Sequence, residues 1–389
     1  MNLSFKSIPA NKFTAKPSFQ GSIDRMQVCP KTTVLVLSDM DGTWLCKDQK
    51  AREDLDKGIQ EQVNIYDTKG LNVLFGYVTA RPPVRLMKEN PPVPNFSLTY
   101  NGGYIHEGFP TEGKEPLSEW TALNETCNFD SKEVIDLTKE IGKEKEFSNF
   151  KIKTVGEVVK NLAADDCKYI ASICIHKDSI VLDKDESSII LEDKTFKVPK
   201  QVNNYINRIK EELEQKNVNF EVNKPYLFKG EPYVMFDIAT PYANKGKAVD
   251  FLVKDLKLNS ENLIIAGDGG NDDVMMTSTD APEGDGRKLI VVGPNSSLRT
   301  SAALKSGNLV TIRPNDEHSS TGVLKGIKSH LQEIYERLEP ETKQALDDER
   351  QIKSSISHAE HEGTNRVQYK DFVSTDNGDG VWKTKRIEK

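Results

Sequence analysis

The stretch VLVLSDMDGTW, residues 34–44, decides how this chain folds. An apolar run rich in Val and Leu ends abruptly in two carboxylates, Asp39 and Asp41, followed at once by Gly42 and Thr43. A continuous apolar run of this kind suits a strand buried on both faces of a parallel sheet. Open parallel sheets gather their chemistry at the carboxyl ends of the strands, where these acids fall. Taken alone, D-x-D-G-T also suits a turn closed by an Asx cap. The surrounding chain decides between the two.

Immediately downstream, AREDLDKGIQEQVNIYDTKG (51–70) sets Leu55, Ile59 and Val63 at i, i+4 and i+8, an amphipathic helix closing at Gly70. LNVLFGYVT (71–79) is a second apolar strand. Strand, helix and strand form a βαβ unit with a right-handed crossover. After Arg81 the character changes. NPPVPN (90–95) is a stiff boundary, and strands are expected over 168–176 and 187–193. A helix over 201–217 presents Val202, Tyr205, Ile206, Ile209 and Leu213 on one face, and a hairpin is expected around NKPYLFKGE (223–231). From Pro241 the βα rhythm returns, with a helix over 244–256 and strands at 262–270, 287–293 and 308–312. The expected fold is therefore α/β. A parallel core built from residues 32–82 and 240–335 is split by an α+β insert over 83–239. A polar leader (1–31) precedes it, and a helix with a disordered tail (336–389) follows.

Composition narrows the partners. The net charge of −7 gives no reason to expect nucleic acid or an anionic membrane surface, and an anionic substrate must be captured by local cations. Five scattered cysteines without a CxxC pair suit a reducing compartment. No apolar stretch approaches the roughly 20 residues of a membrane span, and the N-terminus lacks an apolar signal core. A cytoplasmic protein is expected, of unread oligomeric state.

Four segments at strand ends or helix starts carry the chemistry. In Asp39–Thr43, one carboxylate can attack phosphorus while the other holds the proton of the leaving alkoxide and later deprotonates water. Two such charges call for a cation, and Mg²⁺ with hard oxygen ligands is the natural one. Thr79 offers a hydroxyl to a phosphate oxygen. Lys245, at a helix start in NKGKAV, offers an ammonium beside backbone N–H groups. In GDGGNDD (267–273), Asp268 completes the metal site, with Asn271 beside the phosphate and Asp272 in support. Arg81 and Asn101 are candidate substrate contacts, Arg81 equally a helix cap.

These four segments, DMDGT, Thr79, NKGKA and GDGGND, resemble the motifs of the haloacid dehalogenase-like phosphohydrolases. The resemblance implies a Rossmann-like three-layer core and an aspartyl-phosphate intermediate on Asp39. It also implies Asp41 as acid/base, with its backbone carbonyl joining Asp39 and Asp268 on Mg²⁺, and Thr79 and Lys245 on the phosphoryl group. The long interval between Thr79 and Lys245 has room for a cap of the second type. There, and in HSSTGVLKGIKSHL (318–331), the chain resembles the sucrose-phosphate phosphatase-like and Cof-like sugar phosphatases. It departs from that pattern at Ala80, where Gly is usual, and TYNGGYIHEG (99–108) follows the Cof-like form. The implied activity is phosphate release from a phosphorylated sugar. A phosphomutase of the same superfamily and a non-catalytic sugar-phosphate binder are the alternatives.

Overall fold

The computed structural model describes residues 32–389 except 112, 160–165, 183–196, 229, 282–283, 293–308, 312–318, 363–365, 370–371, 377–381 and 387–389. Strand β1 (Thr33–Asp39) leads through α1 (Gln49–Thr68) to β2 (Asn72–Val78), α2 (Pro83–Lys88), β3 (Phe96–Thr99) and β4 (Tyr104–Glu107). The insert contains α3 (Ser118–Glu125), α4 (Ser131–Ile141), β5 (Ile152–Thr154), the single turn α5 (Val155–Val158), β6 (Ile170–His176) and α6 (Lys200–Gln215). It closes with β7 (Glu221–Val222), β8 (Tyr226–Leu227) and β9 (Tyr233–Ala239). The chain returns through α7 (Lys245–Asp255), β10 (Leu263–Gly267), β11 (Lys288–Val291), β12 (Leu309–Thr311) and α8 (Ser319–Glu362).

The core is a seven-stranded sheet in the order β12-β11-β10-β1-β2-β3-β4, parallel except for β4 at its edge. Every residue of β1 is buried. Its alternation splits the apolar run between two layers: Val34 and Val36 pack with Leu55, Ile59 and Val63 of α1 and with Ile327 and Leu331 of α8. Leu35 and Leu37 pack with Val249 and Leu252 of α7 and with Trp120 of α3. Each such side chain contributes about 1.5–3 kcal/mol on burial. Helices on both faces of a parallel sheet give the three-layer Rossmann-like arrangement implied by the resemblance.

A second sheet, β5-β6-β9-β7 with β8 also against β9, forms the cap. Helix α6 buries the expected stripe of Val202, Tyr205, Ile206, Ile209 and Leu213 against one face of it, together with α4. The strand expected over 187–193 and the leader over 1–31 lie outside the described residues.

Two boundaries differ from expectation. Residues 96–107, expected in the insert, instead form β3 and β4, which extend the core sheet, β3 pairing with β2 in parallel register. The prolines of 91–94 lie in a loop inside the core. Asn95 Oδ1 accepts from the Phe75 amide at 2.8 Å, and the Tyr77 hydroxyl donates to the Pro92 carbonyl at 3.2 Å. The tail also differs. Helix α8 runs through Pro340 to Glu362, and β13 (Arg366–Tyr369), β14 (Phe372–Asp376) and β15 (Trp382–Arg386) follow as an antiparallel sheet rather than disorder. Their β-branched and aromatic residues favour pairing despite the polar composition around them. No described helix is long and apolar enough to cross a membrane.

Candidate active site

Asp39 is the last residue of β1, and the chain then folds back on itself. The Trp44 amide donates to the Asp39 carbonyl at 3.3 Å and the Leu45 amide to the Met40 carbonyl at 2.8 Å. Gly42 makes this turn with φ +84, and a Cβ there would overlap the Asp268 carboxylate. Only glycine meets both demands. Thr43 is thereby buried with its Oγ1 3.0 Å from Asp268 Oδ1 and 3.4 Å from Asp39 Oδ2. Asp268 follows β10, which pairs directly with β1.

Lys245 opens α7, whose N-cap Asn244 accepts from the Gly246 and Lys247 amides. Its ammonium is buried and donates to Asp39 Oδ1 at 2.5 Å and to Asp272 Oδ1 at 2.8 Å. The other oxygen of Asp272 accepts from the Asp268 and Gly269 amides, both at 3.0 Å. Burial, opposed by Lys245 and aided by Asp272 and Asp268, pushes the Asp39 carboxyl up to about 7. Burial together with Asp272 pushes Asp268 up to about 6. Lys245 moves upward as well, because the pull of its two carboxylates exceeds the effect of burial. Oxygens of Asp39, Asp268 and Asp272 lie within 4.8 Å of one another, a cluster able to hold a metal ion. Three carboxylates against one ammonium leave a surplus of negative charge and an all-oxygen donor set, which fits a hard divalent cation such as Mg²⁺.

A family model of haloacid dehalogenase-like hydrolases matches residues 36–282, a span that contains all of these groups. The chain belongs to this family. Among solved structures, the sucrose-phosphatase from Synechocystis sp., in complex with sucrose and phosphate, is 17% identical; the match covers 77% of this chain and 98% of that one, with a TM-score of 0.49. A haloacid dehalogenase-like hydrolase from Bacteroides thetaiotaomicron is 17% identical over 76% of this chain and 100% of its own, TM-score 0.45. A HAD subclass IIB sugar phosphatase is 12% identical over 76% and 98%, TM-score 0.42. No curated protein sequence matches the chain.

The other candidates of this hydrolase take varied places. Thr79 is buried one position beyond Val78, the residue of β2 paired with Asp39. Its hydroxyl oxygen accepts from the Arg81 amide at 3.1 Å, and its carbonyl accepts from the Asn101 amide at 2.9 Å. Asn101 sits in the β3–β4 turn with φ 54, next to Tyr100 with φ 51. Such backbone positions store about 1–3 kcal/mol each and cluster at functional sites. Asn271 is the second residue of the short turn Gly270–Met275, and its side chain lies outside the described set. Arg81 forks onto Asp41, Nε to Oδ2 at 2.7 Å and Nη2 to Oδ1 at 2.5 Å, and Nη1 reaches Glu89 at 2.6 Å. It does not cap α2, whose N-cap is Pro82 without a side-chain bond.

A cleft of about 780 Å³ opens beside Lys245 and Asn101, and its far wall is made by Asn223, Lys224, Tyr226 and Asp237 of the cap. None of these four was singled out as a site residue. Asp237 carried a legible signal, an acid within the apolar run YVMFDIA (233–239).

Proposed function

We propose that the protein is a Mg²⁺-dependent phosphomonoesterase that releases phosphate from a phosphorylated sugar through an aspartyl-phosphate on Asp39. The observation that carries this reading is the Lys245 ammonium held between Asp39 and Asp272, with Asp268 in the same acid cluster. A phosphoryl group entering beside Asp39 meets a buried cation already in place, the preorganised charge that phosphoryl transfer needs.

Asp39, Asp268 and the Asp41 carbonyl would hold Mg²⁺, which when bound neutralises phosphoryl charge. Asp272, engaged through both oxygens by Lys245 and two amides, buttresses Lys245 and the Asp268 loop. In the first half-reaction an Asp39 oxygen bonds to phosphorus as the bond to the sugar oxygen breaks, and the Asp41 carboxyl proton goes to that oxygen. In the second, the Asp41 carboxylate takes a proton from water, whose oxygen displaces phosphate from Asp39. The fork with Arg81 is made by the carboxylate form of Asp41, so the first step requires that fork to open. Thr79 and Asn271 are assigned to the phosphoryl group, and Arg81 and Asn101 to the substrate. A phosphorylated sugar is favoured because the cleft is walled by amide, hydroxyl, ammonium and carboxylate groups.

Phosphate release from a panel of sugar phosphates, with Mg²⁺ and with chelator, tests this. Metal-dependent turnover is expected in the wild type and loss of turnover with intact folding in Asp39→Asn. Undiminished phosphate release by that variant overturns Asp39 as nucleophile.

A further inference from the structure

The cap sheet has two unlike faces. Along β9, Val234, Phe236 and Ile238 join the apolar cluster beneath α4 and α6. Two-residue alternation therefore turns Met235 and Asp237 to the opposite face. Asp237 and Lys245 line the same cleft. Asp237 is only 5% exposed. Ser172, its register partner on β6, donates from Oγ to Asp237 Oδ1 at 2.5 Å, and the Asn223 backbone amide donates to the Asp237 carbonyl at 3.0 Å.

Neither partner carries a charge. A carboxylate buried among neutral donors is unfavourable where an apolar residue would pack without that penalty. Burial accordingly pushes its carboxyl upward, opposed chiefly by the Ser172 hydroxyl. An ionised carboxylate has about four acceptor sites, so the Ser172 hydroxyl leaves capacity for a ligand. Lys224 lines the same cleft but is exposed, where water screens its charge. Asp237 acts at lower dielectric and its carboxylate is held by the Ser172 hydroxyl.

We infer that Asp237 is a specificity-determining residue of the cap: it accepts hydrogen bonds from the hydroxyls of a neutral polyol leaving group and disfavours a leaving group bearing a second anion. This rests on the phosphomonoesterase reading above. A phosphoryl group at Lys245 leaves its alcohol in the cleft, whose size falls within the roughly 300–1,000 Å³ of small-molecule sites.

The test compares kcat/KM for a hexose 6-phosphate, for phosphoglycolate and for p-nitrophenyl phosphate in the full chain. Wild type should favour the hexose phosphate over phosphoglycolate. In Asp237→Asn that preference should fall by about 10- to 100-fold, the loss expected for a hydrogen bond to a charged acceptor, and mainly through KM for the sugar. A merely structural role would lower all three rates together without changing the preference. Should Asp237→Asn fail to fold, Ser172→Ala, which removes the hydroxyl holding the carboxylate, should shift the preference in the same direction, by about severalfold. An unchanged preference in the folded variants, or a wild type that favours phosphoglycolate, overturns the assignment and leaves the phosphatase reading standing. Turnover of p-nitrophenyl phosphate with no sugar phosphate hydrolysed does the same. Absence of turnover on all three substrates removes the phosphomonoesterase reading and this assignment with it.

Discussion

Lys245 Nζ and Asp39 Oδ1 meet at 2.5 Å although 206 positions separate them in the chain. The contact joins the first residue of α7 to the last residue of β1, so the two halves of the divided core meet at this ion pair. Lys245→Met would leave Asp39 and Asp272 buried without their cation. A stability loss of about 3–5 kcal/mol is expected by urea denaturation. Phosphate release should fall by about 10²–10³-fold, the scale of removing one preorganised charge donor. A variant as stable and as active as wild type would contradict both roles.

Gly42→Ala tests the turn beneath the acids. Its φ of +84 strains any side-chain residue, and the new Cβ would push on the Asp268 carboxylate. We expect a stability loss of about 1–3 kcal/mol. Mg²⁺ affinity should weaken by about 10–100-fold, as when a group orienting a metal ligand is disturbed. Calorimetric titration of Mg²⁺ reads the second effect directly.

Metal addition should stabilise the folded chain by mass action. At Mg²⁺ concentrations 100 times the dissociation constant the gain is about 2.7 kcal/mol, seen as a raised melting temperature that chelator reverses. Asp268→Asn should abolish most of the shift. An undiminished shift in that variant would place the ion elsewhere.

His106 on β4 gives the fold a defined acid sensitivity. Its Nδ1 is buried without a hydrogen-bond partner, and burial, with Lys114 adding, pushes the ring down to about 4 from an ordinary 6.5. The unfolded chain therefore takes up this proton first. The contribution is fully present above pH 6.5 and is lost as pH falls from 6.5 through 4. His330 shifts in the same direction, chiefly through burial. Asp39 and Asp268, raised to about 7 and about 6, act in the opposite direction over this range, so the effect is read as a difference. Between pH 7 and pH 5 the urea midpoint of wild type should decline relative to that of His106→Gln, and an equal response in both proteins would assign the effect to other groups.

Much of the core was legible because its signals are local. The apolar runs of β1 and β2 end where Asp39 and Thr79 stand, and the stripe on α6 follows helical spacing. β3 and β4 were not legible as core strands, since four residues show little periodicity and the neighbouring prolines suggested a border. Asp39 and Asp268 were legible at strand ends and Lys245 at a helix start, whereas Asp272 was expected only in support, because its contact with Lys245 depends on the turn after β10. The fork between Arg81 and Asp41 was not legible, because it joins side chains 40 positions apart whose directions depend on the turn at Gly42 and on Glu89. Asp237 was visible as an acid among apolar neighbours, but only the packing of α4 and α6 on one face of the cap sheet tells which way it points.

Parity along β1 ties solubility of the core to competence of the site. Asp39 shares its side of the strand with Leu35 and Leu37, the side from which α7 approaches with Lys245. Deleting one residue between Val34 and Ser38 would leave the hydrophobic content nearly unchanged. It would nevertheless present the nucleophile to the layer of α1 or exchange leucine for valine throughout both interfaces, so selection for a well-packed interior also keeps this acid facing its lysine.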